Sequence, residues 1–160
     1  MNAMEIMENG HETILSAVDG LDAPHWQTPG VCGEWTVKDL IAHLASYEWL
    51  LVEVFDHLVN ASPATPTLDR YHEGPPSFND NEVAKRREDS VGEVLAEYKN
   101  AHGEAMALAE RIPTSGWTED GILPWYGGAY DLDDFIAYTF YGHKREHCAQ
   151  IAAFCDRQGE

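Results

Sequence analysis

Two histidines one turn apart inside an apolar helical stripe constrain this chain more than any other feature. They lie in His143-Lys-Arg-Glu-His147, within a stretch running from Asp131 to Arg157. An α-helix turns ~100° per residue, so side chains four apart stack on one face. On that wheel Leu132, Ile136, Thr139, Phe140, Gln150 and Phe154 fall within roughly 60° of His143, and His147 within about 40°. The imidazoles therefore sit in the middle of the stripe that faces a core. Placed so, they are either hydrogen-bonded core residues or a pair that closes on a metal ion, because neutral imidazole is the commonest metal ligand.

The 160 residues suit one domain with a sizeable core, and residues 1–160 are read as a single domain. A formal net charge of -18, from 28 Asp and Glu against 10 Lys and Arg, repels phosphate backbones and anionic lipid. Neither nucleic acid nor a membrane is expected as a partner. Three cysteines, Cys32, Cys148 and Cys155, are an odd number without close pairs and do not make a disulfide framework. Met1 to Gly10 is polar and acidic, unlike a secretory leader, so a cytoplasmic protein is expected.

Strand-like alternation is nearly absent and the fold expected is all-α, a four-helix bundle. Helix one is predicted from about Ala3 to about Val18, with Met7, Ile14, Leu15 and Val18 inward and His11 on the same face. After a loop over 20–33, Thr36 followed by Asp39 reads as a capping pair that opens helix two, with Trp35 packing onto the first turn. Helix two runs to about Leu58 or Val59, and His43 lies roughly 60° from the centre of its stripe. Prolines 63, 66, 75 and 76 mark 61–77 as a long crossover between helices two and three. Helix three is expected from a cap at Asn79 or Asp80 to about Arg111, with His102 on its shoulder, and Pro113 ends it. Asp131 with Asp134 caps helix four.

His43, His143 and His147 together offer three nitrogens with coordination positions left open, the pattern of a catalytic site more than a structural one. Three imidazoles accept zinc, nickel, iron or copper, with zinc or nickel placed first. Asp39, one turn before His43, is a candidate to orient that imidazole, although capping explains it as well. His11 and Glu48 are candidate pocket residues. His143-x-x-Glu146-His147 also matches the string of inverted zinc peptidases, with Glu146 as base. Glu146 sits on the shoulder of the stripe, however, and no glutamate-bearing third-ligand helix follows.

These segments resemble a known family. Gly33-Glu-Trp-Thr-Val-Lys-Asp-Leu-Ile-Ala-His-Leu-Ala and the later Gly142-His-Lys-Arg-Glu-His-Cys-Ala-Gln-Ile are similar to the DinB/YfiT-like superfamily of metalloenzymes. The first is also similar to the metal-binding domain of mycothiol-dependent maleylpyruvate isomerase. The resemblance implies a four-helix bundle with a divalent metal on His43, His143 and His147. It also implies a homodimer acting on a small molecule, possible reactions being thiol-dependent S-transfer with a low-molecular-weight thiol, or hydrolysis. The alternative is a metal- or ligand-binding bundle that does no chemistry.

Overall fold

The structure, a computed structural model, describes residues 2–159, with residue 75 described by its backbone alone. Every regular element among them is helical. Helix α1 spans Ala3–Val18, opened by a capping box in which Asn2 and Glu5 exchange side-chain and backbone hydrogen bonds. A single turn, α2 (Ala23–Trp26), leads into α3 (Val37–Asn60). Thr36 and Asp39 make the capping box of α3 as expected: Asp39 N–H donates to Thr36 Oγ1 at 3.1 Å, and Thr36 N–H donates to Asp39 Oδ2 at 3.0 Å. From Val37 to Leu51 this helix is buried on nearly every side, which makes it the bundle's central strut. It packs along α6 (Val91–Ala109), while α1 packs against the fourth helix.

The crossover departs from expectation. It contains two helices, α4 (Pro66–Glu73) and α5 (Pro75–Lys85), where an irregular segment was read from its prolines. Pro66 and Pro75 each stand at the first helical position, where a missing N–H costs nothing and the fixed φ already suits a helix. Gly74, at φ 155°, makes the corner between them. The third helix is correspondingly not one element from Asn79 or Asp80 to Arg111. The chain turns after Lys85, and Ser90 starts α6 afresh by accepting from Glu93 N–H at 3.1 Å. Glu82, 2% exposed, binds Arg70, Lys85 and Arg86, and Arg86 reaches on to Glu97 in α6. One buried carboxylate thus ties α4, α5 and α6 together.

The fourth helix is continuous but not uniformly α-helical. A one-turn α7 (Leu132–Phe135), capped by Asp131 and Asp134 as expected, passes into a π-helical segment (Ile136–Gly142) and then α8 (His143–Gln158). A π-turn takes up an extra residue and shifts the face that follows. Gly10 of α1 lets this segment come close. A Cβ there would lie 3.3 Å from Lys144 Cδ and 3.5 Å from the Tyr141 ring.

The apolar interior falls into two clusters. One gathers Met7, Leu51, Phe55, Phe135 and Phe140, and the other Ile14, Leu40, Val94, Ile151 and Phe154. Between them, at the waist of the bundle, each long helix contributes polar side chains: His11, His43 and Glu48, His102, and His143, Lys144 and His147.

Candidate metal centre

Three imidazoles meet at one side of this waist. The α3 capping box fixes where that helix begins, and His43 follows in its second turn at 2% exposure. The π-segment delivers His143 as the first residue of α8, and His147 lies one turn on, 6% exposed. His43 Nε2 stands 2.9 Å from His143 Nε2, and His147 Nε2 stands 2.9 Å from the same atom. One nitrogen from each of the three lies within 4.8 Å of the others. A tetrahedral centre with Zn–N bonds of 2.0–2.1 Å sets its nitrogens about 3.3 Å apart. The two contacts made by His143 are within a few tenths of an ångström of that spacing, and the remaining pair lies within 4.8 Å.

The surroundings fix which nitrogen carries the proton on two of the three rings. His147 Nδ1–H donates to Gln150 Oε1 at 2.7 Å, which leaves the lone pair on Nε2. The His143 ring hydrogen-bonds the backbone of Thr139, which likewise leaves its Nε2 bare. Two lone pairs facing one another at 2.9 Å repel. An N–H on His43 Nε2 could satisfy its own contact with His143 but not the contact between His143 and His147. A cation at the convergence point relieves both, so the donor set fits a divalent ion. Burial first, and then the neighbouring imidazoles, lower the pKa of His43 to about 2. The same causes, helped by Lys144, lower that of His143 to about 4, and burial lowers that of His147. At neutral pH all three rings are in the uncharged form a metal requires.

The site is walled with aromatic rings. Tyr47 packs edge-on against His43 and His143, with centroids at 4.9 and 4.8 Å, and Trp35 lies 5.1 Å from His43. Behind Tyr47 stand Tyr71 of α4 and Phe78 of α5, at 5.9 and 5.8 Å. Tyr47 OH donates to Asn79 Oδ1 at 3.1 Å, and burial pushes its pKa up to about 12.

The other residues singled out from the sequence lie elsewhere. The Asp39 carboxylate serves the cap, and among the described residues His43 Nδ1 is buried without a hydrogen-bond partner. Glu146 is exposed, on the outer side of α8. His11 and Glu48 belong to a second polar cluster. Glu48, 1% exposed, pairs with Lys144, 3% exposed. His102 Nδ1 lies 3.9 Å from the same carboxylate, and His11 stacks on His102 with centroids 3.7 Å apart. Trp49 donates to Glu97 on the α6 side. Trp125 lines a separate cleft of about 250 Å³ with His57 and His72. Sequence reasoning missed the crossover aromatics, whose helices had not been recognised. It also missed the partners of the histidines, although Gln150 three residues after His147 is a visible cue.

An all-α bundle of this plan, with a triad of histidines able to coordinate a divalent metal ion, defines a DinB/YfiT-like protein. More narrowly, residues 7–128 match the family model described as the mycothiol maleylpyruvate isomerase N-terminal domain, and the chain belongs to that family. His43 lies inside the matched stretch, and His143 and His147 lie beyond it. No curated protein and no solved structure gives a significant match to the chain.

Proposed function

We propose that the protein is a metal-dependent enzyme acting on a small molecule, either a thiol-dependent S-transferase or a hydrolase, with His43, His143 and His147 as its metal ligands. The convergence of three Nε2 atoms carries this reading. A bound divalent ion would supply Lewis acidity at a coordination position the protein leaves open. Zinc or nickel fits three imidazoles best, with iron and copper as alternatives. The chain's own part is to hold and orient. Gln150 and the Thr139 carbonyl fix two ligand rings, and Tyr47, anchored by Asn79, keeps its proton and braces His43 and His143. Trp35 and Tyr47 restrict water around the triad.

One observation favours a second reading, a binding protein that does no chemistry. The carboxylates near the ligands in sequence are occupied elsewhere or exposed, Asp39 in the α3 cap, Glu48 in its pair with Lys144 and Glu146 at the surface. Metal-loaded protein screened with low-molecular-weight thiols and electrophiles separates the two. Turnover lost in His43→Ala supports the enzyme, and saturable binding without turnover supports the binder. The working form we propose is a cytoplasmic homodimer built from one bundle per chain, which a sedimentation measurement tests. Among the described residues, Tyr130 and Tyr138, 48% and 69% exposed, offer apolar surface for such a contact. No helix among the described residues is long and apolar enough to cross a membrane.

A further inference from the structure

The charge and ring content around the triad narrow what it can take, given the metal-site reading above. His43 and His147 are sealed, while His143, Trp35 and Tyr71 each keep part of their surface in solvent. The approach to the triad therefore runs past aromatic faces. Tyr47 and Phe78, 8% and 3% exposed, back that wall behind Tyr71, Tyr71 and Phe78 meeting at 5.7 Å, and the Asn79 amide is the polar group that bonds to it, at Tyr47 OH.

Most cations on the elements that bear these residues are already engaged, and Arg145 of α8 lies exposed on the outer side of the helix against Tyr141. Lys144, between two of the ligands, is neutralised by buried Glu48. Lys38 donates to the Arg87 carbonyl at 2.8 Å. On the crossover, Arg70 beside Tyr71, and Lys85 and Arg86 beyond Phe78, turn into the Glu82 carboxylate. Recognition of a carboxylate normally takes a free arginine or lysine fork. The net charge of -18 further opposes the arrival of a dianion. Aromatic faces bind rings and apolar groups through burial and edge-to-face contact, at no cost in charge desolvation.

We infer that this site takes an uncharged, ring-bearing small molecule and not a dicarboxylate. Maleylpyruvate, the acid in the family's description, carries two carboxylates. This chain therefore departs from that substrate class while keeping the fold and the ligand triad.

Two thiols matched in their metal-binding atom provide the test. Benzyl mercaptan and mercaptosuccinate are titrated into cobalt-loaded protein and followed by the sulfur-to-cobalt absorption band. Benzyl mercaptan should bind about tenfold more tightly or better, with little dependence on salt. Asn79→Arg should move the preference toward mercaptosuccinate. Equal or tighter binding of mercaptosuccinate by the unaltered protein, or binding of neither thiol, overturns the inference. If the protein takes up no cobalt, the metal reading falls by itself. Substrate class is then read from benzyl alcohol and maleate as quenchers of Trp35 fluorescence, with Trp35→Phe as the control. Saturable quenching by benzyl alcohol alone upholds the inference, and quenching by maleate or by neither overturns it.

Discussion

The waist of this bundle holds two clusters of buried imidazoles, and they differ in one geometric respect. In the triad, His43 meets His143 and His147 at 83° and 88°, so ring edges converge and nitrogen lone pairs point at a common centre. In the other cluster, His11 and His102 stack face to face with 4° between their planes. Lone pairs lie in the ring plane, so stacked imidazoles cannot aim at a point between them. The counter-charges differ as well. The second cluster contains its own carboxylate and ammonium, Glu48 and Lys144. The triad's hydrogen bonds go to neutral acceptors that fix its tautomers, and Glu146, the carboxylate acting on His147, is exposed. Burial of histidine is common to both, and orientation separates a triad able to hold a metal ion from a self-contained polar core.

The comparison breaks most decisively through the metal. Protein purified without a histidine tag should carry near one divalent ion per chain, and His143→Ala should abolish it. His11→Phe and His102→Phe should leave the ion in place. Ligand at a hundredfold excess over Kd adds about 2.7 kcal/mol of stability. Chelation should therefore lower the melting temperature of the wild type and of His102→Phe, and leave that of His143→Ala unchanged. Elemental analysis and melting curves check this. Ion retained by His143→Ala would place the metal elsewhere.

The next effect belongs to the second cluster. Glu48→Gln strands the Lys144 ammonium at 3% exposure, and breaking a buried pair from one side costs about 3–5 kcal/mol. Replacing both members by apolar residues of similar size, Glu48→Met with Lys144→Leu, should recover most of that loss. Denaturant midpoints measure both variants, and metal content should stay at one ion in the paired replacement. A double variant no more stable than Glu48→Gln would show that the ion pair itself is needed.

Much of this was readable from sequence because local rules agree with the fold. Ala3–Val18 has the predicted bounds, and the Thr36–Asp39 and Asp131–Asp134 caps form as their spacing requires. His43 and the pair 143 and 147 were legible as inward-facing because each sits on an apolar helical stripe. The crossover was not, because a proline in sequence signals a helix breaker and a helix initiator alike, and Pro66 and Pro75 are initiators. Nor was the π-segment, since a wheel with a fixed 100° step assumes one helix type throughout. That same step hid Lys144, a lysine that sequence assigns to solvent and that the Gly10 notch and Glu48 draw inside. Pairings between distant helices, such as His11 with His102, depend on packing that no single helix encodes.

A smaller effect sharpens the triad. Gln150 holds His147 Nδ1–H, and removal of such a partner weakens metal affinity about 10–100-fold, roughly 1.4–2.7 kcal/mol. Gln150→Leu should show this in competition with a chelator. Gln150→Glu, which keeps an acceptor, should restore binding. An unchanged affinity in Gln150→Leu would mean that the His147 tautomer is set by the ion alone.

The smallest effect is a slope. Burial first, then His102 and Lys144, lower the pKa of His11 to about 3, and burial and Lys144 lower that of His102 to about 4. In the unfolded chain both titrate near 6.5. Above that value neither state binds a proton at these rings, and stability is independent of them. As pH falls from about 6.5 toward 4, the unfolded chain takes up protons that the folded protein refuses, so stability declines with acid. Each such histidine contributes a slope of at most about 1.4 kcal/mol per pH unit over that window. His43 and His143 add to it in metal-free protein, and a bound ion keeps their share of the fold by excluding protons from the same nitrogens. His11→Phe preserves a stackable ring and removes one titrating group, so its metal-free stability should fall less steeply between pH 6.5 and 4 than the wild type's. Equal slopes for the two proteins would show that His11 takes up its proton while folded, and the stacked pair would then be an acid-tolerant contact, not an acid-sensitive one.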